Sequence, residues 1–165
     1  MTLDAIMLAL ICIIGMFSIP LGANIKVSLQ LLMVFIICFT LPSVIDCIFI
    51  MALYLLLGLF MPIYAGFNAG ISPTFGYVIS FVVIAPVIYF INKIPKIPSI
   101  LRMIIACFVG LIICYLIGTL FMMLYLKWDI QTTLLVSVVP YIPFDILKIV
   151  LAILIVMVLP KNSIS

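Results

Sequence analysis

The sequence contains no histidine and no glutamate, and of its 165 residues only seven are basic and four acidic. A chain with so little charge lacks the polar surface that a soluble domain of this size needs. Without histidine, an acid–base or proton-coupled site would need a second carboxylate inside the apolar runs. Asp46 and Asp129, the nearest alternatives, read as boundary residues. No Gly-x-x-x-x-Gly-Lys-Ser/Thr loop occurs, so ATP hydrolysis is not the work of this chain. The five cysteines, Cys12, Cys38, Cys47, Cys107 and Cys114, are scattered through apolar runs. That pattern reads as packed thiols, not as a metal set or a disulfide framework, and no cofactor is expected. Period-2 alternation of polar and apolar residues is absent, which argues against an outer-membrane barrel. The net charge of +3 is accounted for by membrane topology, with no need for nucleic acid.

What is present is apolar: 70% of the residues are hydrophobic. The expected class is an all-α integral membrane protein, with residues 1–165 forming one compact bundle of six transmembrane helices. The first apolar run has neither a basic n-region nor an Ala-x-Ala site, so it is expected to be a retained helix and not a signal peptide. Gly and Pro punctuate the runs at Ile19-Pro20-Leu21-Gly22, at Pro42-Ser43, and from Met61-Pro62 to Ser72-Pro73. A basic linker lies at Asn92–Ser99. The spans are placed at about 4–21, 27–41, 43–60, 74–91, 102–126 and 142–159. Lys93, Lys96, Arg102 and Lys161 outnumber Lys26 and Lys127 on the other side. The positive-inside rule then puts both termini in the cytoplasm and the 61–73 and 128–140 loops outside.

Three segments are candidates for function. Asp145 and Lys148 are three residues apart in the last apolar run, so they share one face of a helix. Each charge costs roughly 2.5–3.5 kcal/mol at the centre of a membrane helix. The pair is either a polar-ligand or ion site, or a self-neutralising pair that fixes packing, with Lys148 snorkelling to headgroups. The second segment is the outer loop, where Tyr64, Phe67 and Tyr77 offer rings with polar edges and Asn68 offers donors and an acceptor. It also reads as an ordinary connection with interfacial aromatics. The third is Ala5-x-x-x-Ala9, a small-residue pair that permits close helix approach, for internal packing or for docking.

The residues Tyr54-Leu-Leu-Leu-Gly58, Gly66-Phe67, Pro73-Thr74-Phe75-Gly76-Tyr77 and Val139-Pro140-Tyr-Ile-Pro143-Phe-Asp145-Ile-Leu-Lys148 together resemble the BioY family. These are the biotin-binding S components of energy-coupling factor (ECF) transporters. The similarity runs along nearly the whole chain, and the last motif resembles the family's Pro-x-x-Pro-x-Asp-x-x-Lys. Ser28-Leu29-Gln30 is similar to the family's Thr-x-Gln. Phe75 stands where the family usually has glycine, and no basic residue lies between Lys26 and Lys93. A ligand carboxylate would then rest on Asn68, hydroxyls, backbone N–H groups or solvent.

The resemblance implies a substrate-capture subunit in a bacterial plasma membrane, binding biotin from outside, with no enzymatic activity of its own. Its implied ligand set is Asp145, Lys148, Asn68, Tyr64, Phe67, Tyr77 and Gln30. Asp145 would accept from the ureido N–H groups, and Lys148 would donate to the ureido oxygen or steady Asp145. The rings would enclose the bicycle, and Asn68 would reach the tail. The implied partners are a transmembrane coupling protein and ATP-binding cassette ATPases, docked through Ala5 and Ala9. An S component for another vitamin or heterocycle, a proton-coupled carrier using Asp145 and Lys148, and a non-transporting assembly subunit are the alternatives.

Overall fold

The computed structural model describes residues 2–20 and 26–159. Among them the chain forms seven helices and one two-stranded ribbon. The order is α1 (Thr2–Met16), β1 (Ser18–Pro20), β2 (Lys26–Ser28), α2 (Gln30–Thr40), α3 (Val44–Phe60), α4 (Phe75–Asn92), α5 (Ser99–Leu126), α6 (Ile130–Ser137) and α7 (Ile142–Val158). The strands pair antiparallel, with Ser18 opposite Ser28.

Local chemistry sets several helix starts. Ser43 is extended and accepts the backbone N–H of Ile45 at 3.2 Å, and Asp46 lies in the first turn of α3. Both satisfy the positive end of a helix. Asp129 does the same for α6, accepting the backbone N–H of Thr132 at 2.9 Å and its hydroxyl at 2.6 Å. Those bonds from Thr132 hold the exposed Asp129 carboxyl below its ordinary pKa. Pro143 opens α7, where a missing N–H is no loss.

Helix α2 is the centre of the molecule. Ten of its eleven residues are buried, and it packs against α1, α3, α4 and α7. A helix that is apolar all round belongs inside. The most extensive helix pair is α4 with α5, and glycines make their approach possible. A Cβ on Gly76 would run into Phe121, one on Gly118 would enter the Tyr77 ring, and one on Gly110 would meet Ile88 at 3.0 Å. Small residues at such crossings let apolar helices pack without a hydrophobic drive between them. The outer surface carries large bare side chains, with Phe60 86% and Val158 85% exposed. Water does not tolerate a continuous apolar belt of this kind, whereas lipid does.

Helices α1 to α5 and α7 overlap the segments where spans are expected, and three differences stand out. The first helix ends at Met16, and Ser18–Pro20 and Lys26–Ser28 form ribbon where helix ends were expected; residue 21, the expected end of the first span, lies outside the described residues, as does Lys161. The 128–140 stretch, expected as an outer loop, contains α6, which meets α7 at a bend of 49°. The helix count among the described residues is therefore seven, not six. Length is the third difference. Among the described residues only α4 and α5 are long and apolar enough to cross a membrane, and the bent α6–α7 pair makes a third crossing if it is one span. Helices α1, α2 and α3 have 15, 11 and 17 residues. At 1.5 Å per residue α2 rises only about 16 Å, against a hydrocarbon core of about 30 Å. The first two apolar runs are longer than α1 and α2 because Ser18–Pro20 and Lys26–Ser28 form ribbon.

Those irregular segments gather at one end. The N–H of Gly66 reaches the Met16 carbonyl at 2.9 Å, that of Gly70 reaches Gly58 at 2.8 Å, and the Tyr77 hydroxyl reaches the Ser137 carbonyl at 3.3 Å. They tie the 61–74 loop to α1 and α3, and α4 to α6. At the opposite end the Tyr89 hydroxyl donates to the Pro42 carbonyl, and Lys93 lies 5.3 Å from the Tyr89 ring centre.

Candidate ligand-binding site

The irregular end encloses a cavity of about 330 Å³, within the usual range for small-molecule sites. Its walls come from every element gathered there: Ser28 from β2, Gln30 from the start of α2, Tyr64 and Asn68 from the loop, Phe75 and Tyr77 from α4, Tyr115 from α5, Ser137 from α6, and Asp145 and Lys148 from α7.

Asp145 and Lys148 are the charged residues of this wall, and both are almost fully buried, at 4% and 6% exposure. The helix brings them together one turn apart, with Lys148 Nζ 2.6 Å from Asp145 Oδ1. The other carboxylate oxygen accepts the Tyr115 hydroxyl at 2.5 Å. Both oxygens therefore have a donor, and the charge is neutralised locally, as a buried carboxylate requires. Lys148 has three N–H donors; among the described residues only Asp145 accepts from it. A buried ammonium with donors to spare, facing a cavity, can hold a polar acceptor on a ligand.

The aromatic wall is held by two features. Tyr64 lies on Gly58, where any Cβ would occupy the ring's place, and its hydroxyl donates to the Leu55 carbonyl at 2.6 Å. Burial pushes that hydroxyl up to about 12, so it stays a donor. The Tyr64 ring stands edge-on to Tyr54 and tilted against Phe75, at centre distances of 5.7 and 6.1 Å. Tyr77 rests on Gly118 in the same manner. With both hydroxyls engaged by backbone carbonyls, the rings are left to offer flat apolar surface.

Gln30 and Asn68 also line the cavity, and both have structural partners. The Gln30 amide donates to the Tyr54 hydroxyl at 2.5 Å, and that hydroxyl donates to the Ile63 carbonyl at 3.1 Å. The chain of bonds ties α2, α3 and the loop together. The Asn68 amide donates to the Ala65 carbonyl at 2.7 Å, which leaves its carbonyl oxygen open. Phe67 is a correction. It lies outside the cavity wall, 61% exposed, with its ring edge-on to Phe17 at 6.1 Å. Gly66 and Phe67 both have positive φ, of 75° and 59°, and the Tyr64–Asn68 bridge closes the turn around them. Residues 64 and 68 face the cavity while the tip at 67 is turned away.

Sequence reading missed Tyr115 and Ser137. Tyr115 carried a usable signal, since a hydroxyl in the middle of a long apolar run needs a buried acceptor. Ser137 carried none, because its segment was read as loop. Ala5 and Ala9, the candidate docking pair, are exposed on one side of α1.

The family model described as "BioY family" matches residues 1–163. The chain belongs to the BioY family. Among BioY relatives, it is 33% identical over 162 residues to the biotin transporter BioY of Thermotoga maritima, covering 95% of this chain and 93% of that protein. It is 30% identical over 156 residues to biotin transporter BioY2 of Lactococcus lactis, covering 92% of this chain and 84% of that one. The crystal structure of an S-component for biotin from an ECF-type ABC transporter superposes with a TM-score of 0.80 at 26% identity, covering 94% of this chain and 87% of that one. BioY membership and the apolar exterior make this a membrane protein of a bacterial transporter family, with an S-component fold.

Proposed function

We propose that this chain is the substrate-capture subunit of an ECF-type uptake transporter and that biotin is its ligand. The observation that carries the reading is the buried Asp145–Lys148 pair in the wall of a closed-end cavity, with Lys148 donors that no other described residue takes up. A ureido ring presents two N–H donors and one carbonyl acceptor. Asp145 accepts from the ring, and Lys148 donates to the ureido oxygen. Tyr64, Phe75 and Tyr77 cover the bicycle, and Asn68 and neighbouring hydroxyls meet the tail at the mouth. Gln30 keeps α2 in register with the loop and contributes at the edge of the site.

The chain crosses the membrane six times in this reading, with both termini cytoplasmic and the cavity opening outward. The short helices α1, α2 and α3 then cross with the help of flanking ribbon and loop, and α6–α7 forms one bent crossing. The exposed pair Ala5 and Ala9 on α1 docks against a transmembrane coupling protein, and separate ATPase subunits hydrolyse ATP.

Calorimetric titration of biotin into the detergent-purified chain, alongside Asp145→Asn and Lys148→Ala, tests the ligand and the site together. Each variant removes a hydrogen bond between the ligand and a charged group, worth about 1.5–3 kcal/mol, so each is expected to lose about tenfold or more in affinity, as ~1.4 kcal/mol is tenfold. Absence of binding by the monodisperse wild type rejects biotin. Wild-type-like affinity in Asp145→Asn rejects the site.

A further inference from the structure

We propose that this site reads the ring system of its ligand and leaves the charge of the tail unread. Amides of biotin, including biotin joined to the side chain of a lysine, are then ligands alongside the free acid. The proposal rests on the capture reading above and concerns the other end of the same ligand.

The cavity wall carries its charge in one place. Of the twenty described residues that line it, Asp145 and Lys148 alone are charged. They are almost fully buried and bonded to each other, so they lie at its depth and neutralise each other there. The mouth is made by Asn68 and Thr74, both exposed, with the half-buried Ser72. A ligand whose ureido ring occupies the charged pair therefore leads its tail past neutral groups into water.

Hydrogen bonding at the mouth points the same way. Asn68 donates to the Ala65 carbonyl at 2.7 Å, which leaves its own carbonyl oxygen open. The Ser72 and Thr74 hydroxyls are 3.1 Å apart and bond to each other, so between them one proton and several lone pairs remain for a ligand. These groups accept as readily as they donate. A carboxylate only accepts, and the open Asn68 oxygen has nothing to give it. An amide tail offers an N–H to that oxygen and a carbonyl to the remaining hydroxyl proton. A paired ammonium or guanidinium is what makes a site insist on a carboxylate, and the described mouth has neither.

Two further basic residues flank segments that reach the wall. Lys127 follows α5 and is not part of the wall. Lys26 stands two residues before Ser28 on β2, opposite Pro20, and its side chain lies outside the described residues. It enters the test as a variant.

The test is calorimetry on the full chain in detergent with biotin, its primary amide and its lysine conjugate, each at low and at high salt. All three should bind within about threefold of one another, less than the effect of losing a hydrogen bond to a charged group. Salt should leave their ratios unchanged, since no exposed ion pair is there to be screened. Asp145→Asn should weaken acid and amide by the same factor, because both seat the same ring, and Lys26→Gln should leave their ratio at the wild-type value. Amides that bind more weakly than that margin overturn the proposal, as does an acid that loses affinity in Lys26→Gln while the amide keeps its own. If the wild-type protein binds neither acid nor amide, the capture reading itself fails; if it binds the acid and rejects the amides, only this proposal does.

Discussion

Asp145 is the residue on which the site turns, and its surroundings explain how its carboxyl group is accommodated at 4% exposure. Lys148 and Tyr115 each give one oxygen a short donor. The first partner was legible in the sequence because it is local: spacing of three on a helix puts both groups on one face. The second was not, since Tyr115 lies thirty residues away and meets Asp145 only when α5 packs beside α7. Phe67 shows the converse limit. Aromatic composition placed it with Tyr64 and Tyr77, but the sign of φ at Gly66 and Phe67 decides which way the ring points, and composition does not encode that. Tyr115→Phe keeps the ring and removes the donor. A hydrogen bond to a charged group is worth about 1.5–3 kcal/mol, and unfolding of this variant in mixed micelles should show a loss of that size, with weaker ligand binding. Unchanged stability would mean that the hydroxyl bond is not formed in solution. Gly58→Ala tests the aromatic wall at the same scale. Its Cβ takes the place of the Tyr64 ring, an overpacking that costs about 1–3 kcal/mol. Adding Tyr64→Leu should recover stability without recovering ligand affinity; if the single variant binds and melts like wild type, Gly58 does not seat the ring.

At the scale of elements, helix existence was readable and helix ends were not. Apolar runs and Gly/Pro punctuation located the segments of α1 to α5 and α7, but the ribbon shortened α1 and the start of α2 because Ser18–Pro20 and Lys26–Ser28 pair with each other. Helix α6 was hidden by its shortness, eight residues between Asp129 and Pro140, and by its polar Gln131-Thr132-Thr133. In retrospect the cap was visible, since Asp129 three residues before Thr132 is an N-terminal signal. The cap makes α6 sensitive to acid. Asp129 has a folded-state pKa below its ordinary value of 3.8, with the Thr132 hydrogen bonds as the cause. A depressed carboxylate pKa contributes stability above the unfolded value and loses it as pH falls through the folded one. Backbone hydrogen exchange over residues 130–134, compared after correction for intrinsic rate, should therefore be steady above about pH 4 and faster below it. Asp129→Asn should flatten this dependence, since asparagine caps without titrating. Equal acid sensitivity in wild type and variant would place the titrating group elsewhere. Because α6 carries Ser137, loss of the cap should reach the cavity as weaker ligand binding at low pH.

For the whole molecule, composition was the most informative part of the sequence, and what it left open was how short helices cover a bilayer. The fold answers by concentrating irregular backbone at one end, where ribbon, loop and α6 surround the cavity, and by keeping the polar pair away from the lipid-facing surface. The opposite end carries Lys93, Lys96 and Arg102. On the proposed function, ligand capture and partner docking are separable, because α1 presents Ala5 and Ala9 outward while neither residue lines the cavity. Two leucines in their place, Ala5→Leu with Ala9→Leu, add bulk where a partner helix would need close approach. They disturb no buried contact, as the inward side of α1 is Met7, Ile11 and Gly15. The double variant should bind biotin with wild-type affinity by calorimetry and fail to co-purify with a coupling protein and ATPases expressed alongside it. Co-purification at wild-type yield would remove α1 from the docking face. Loss of both properties would tie docking and capture to one surface, against the separation that the fold lays out.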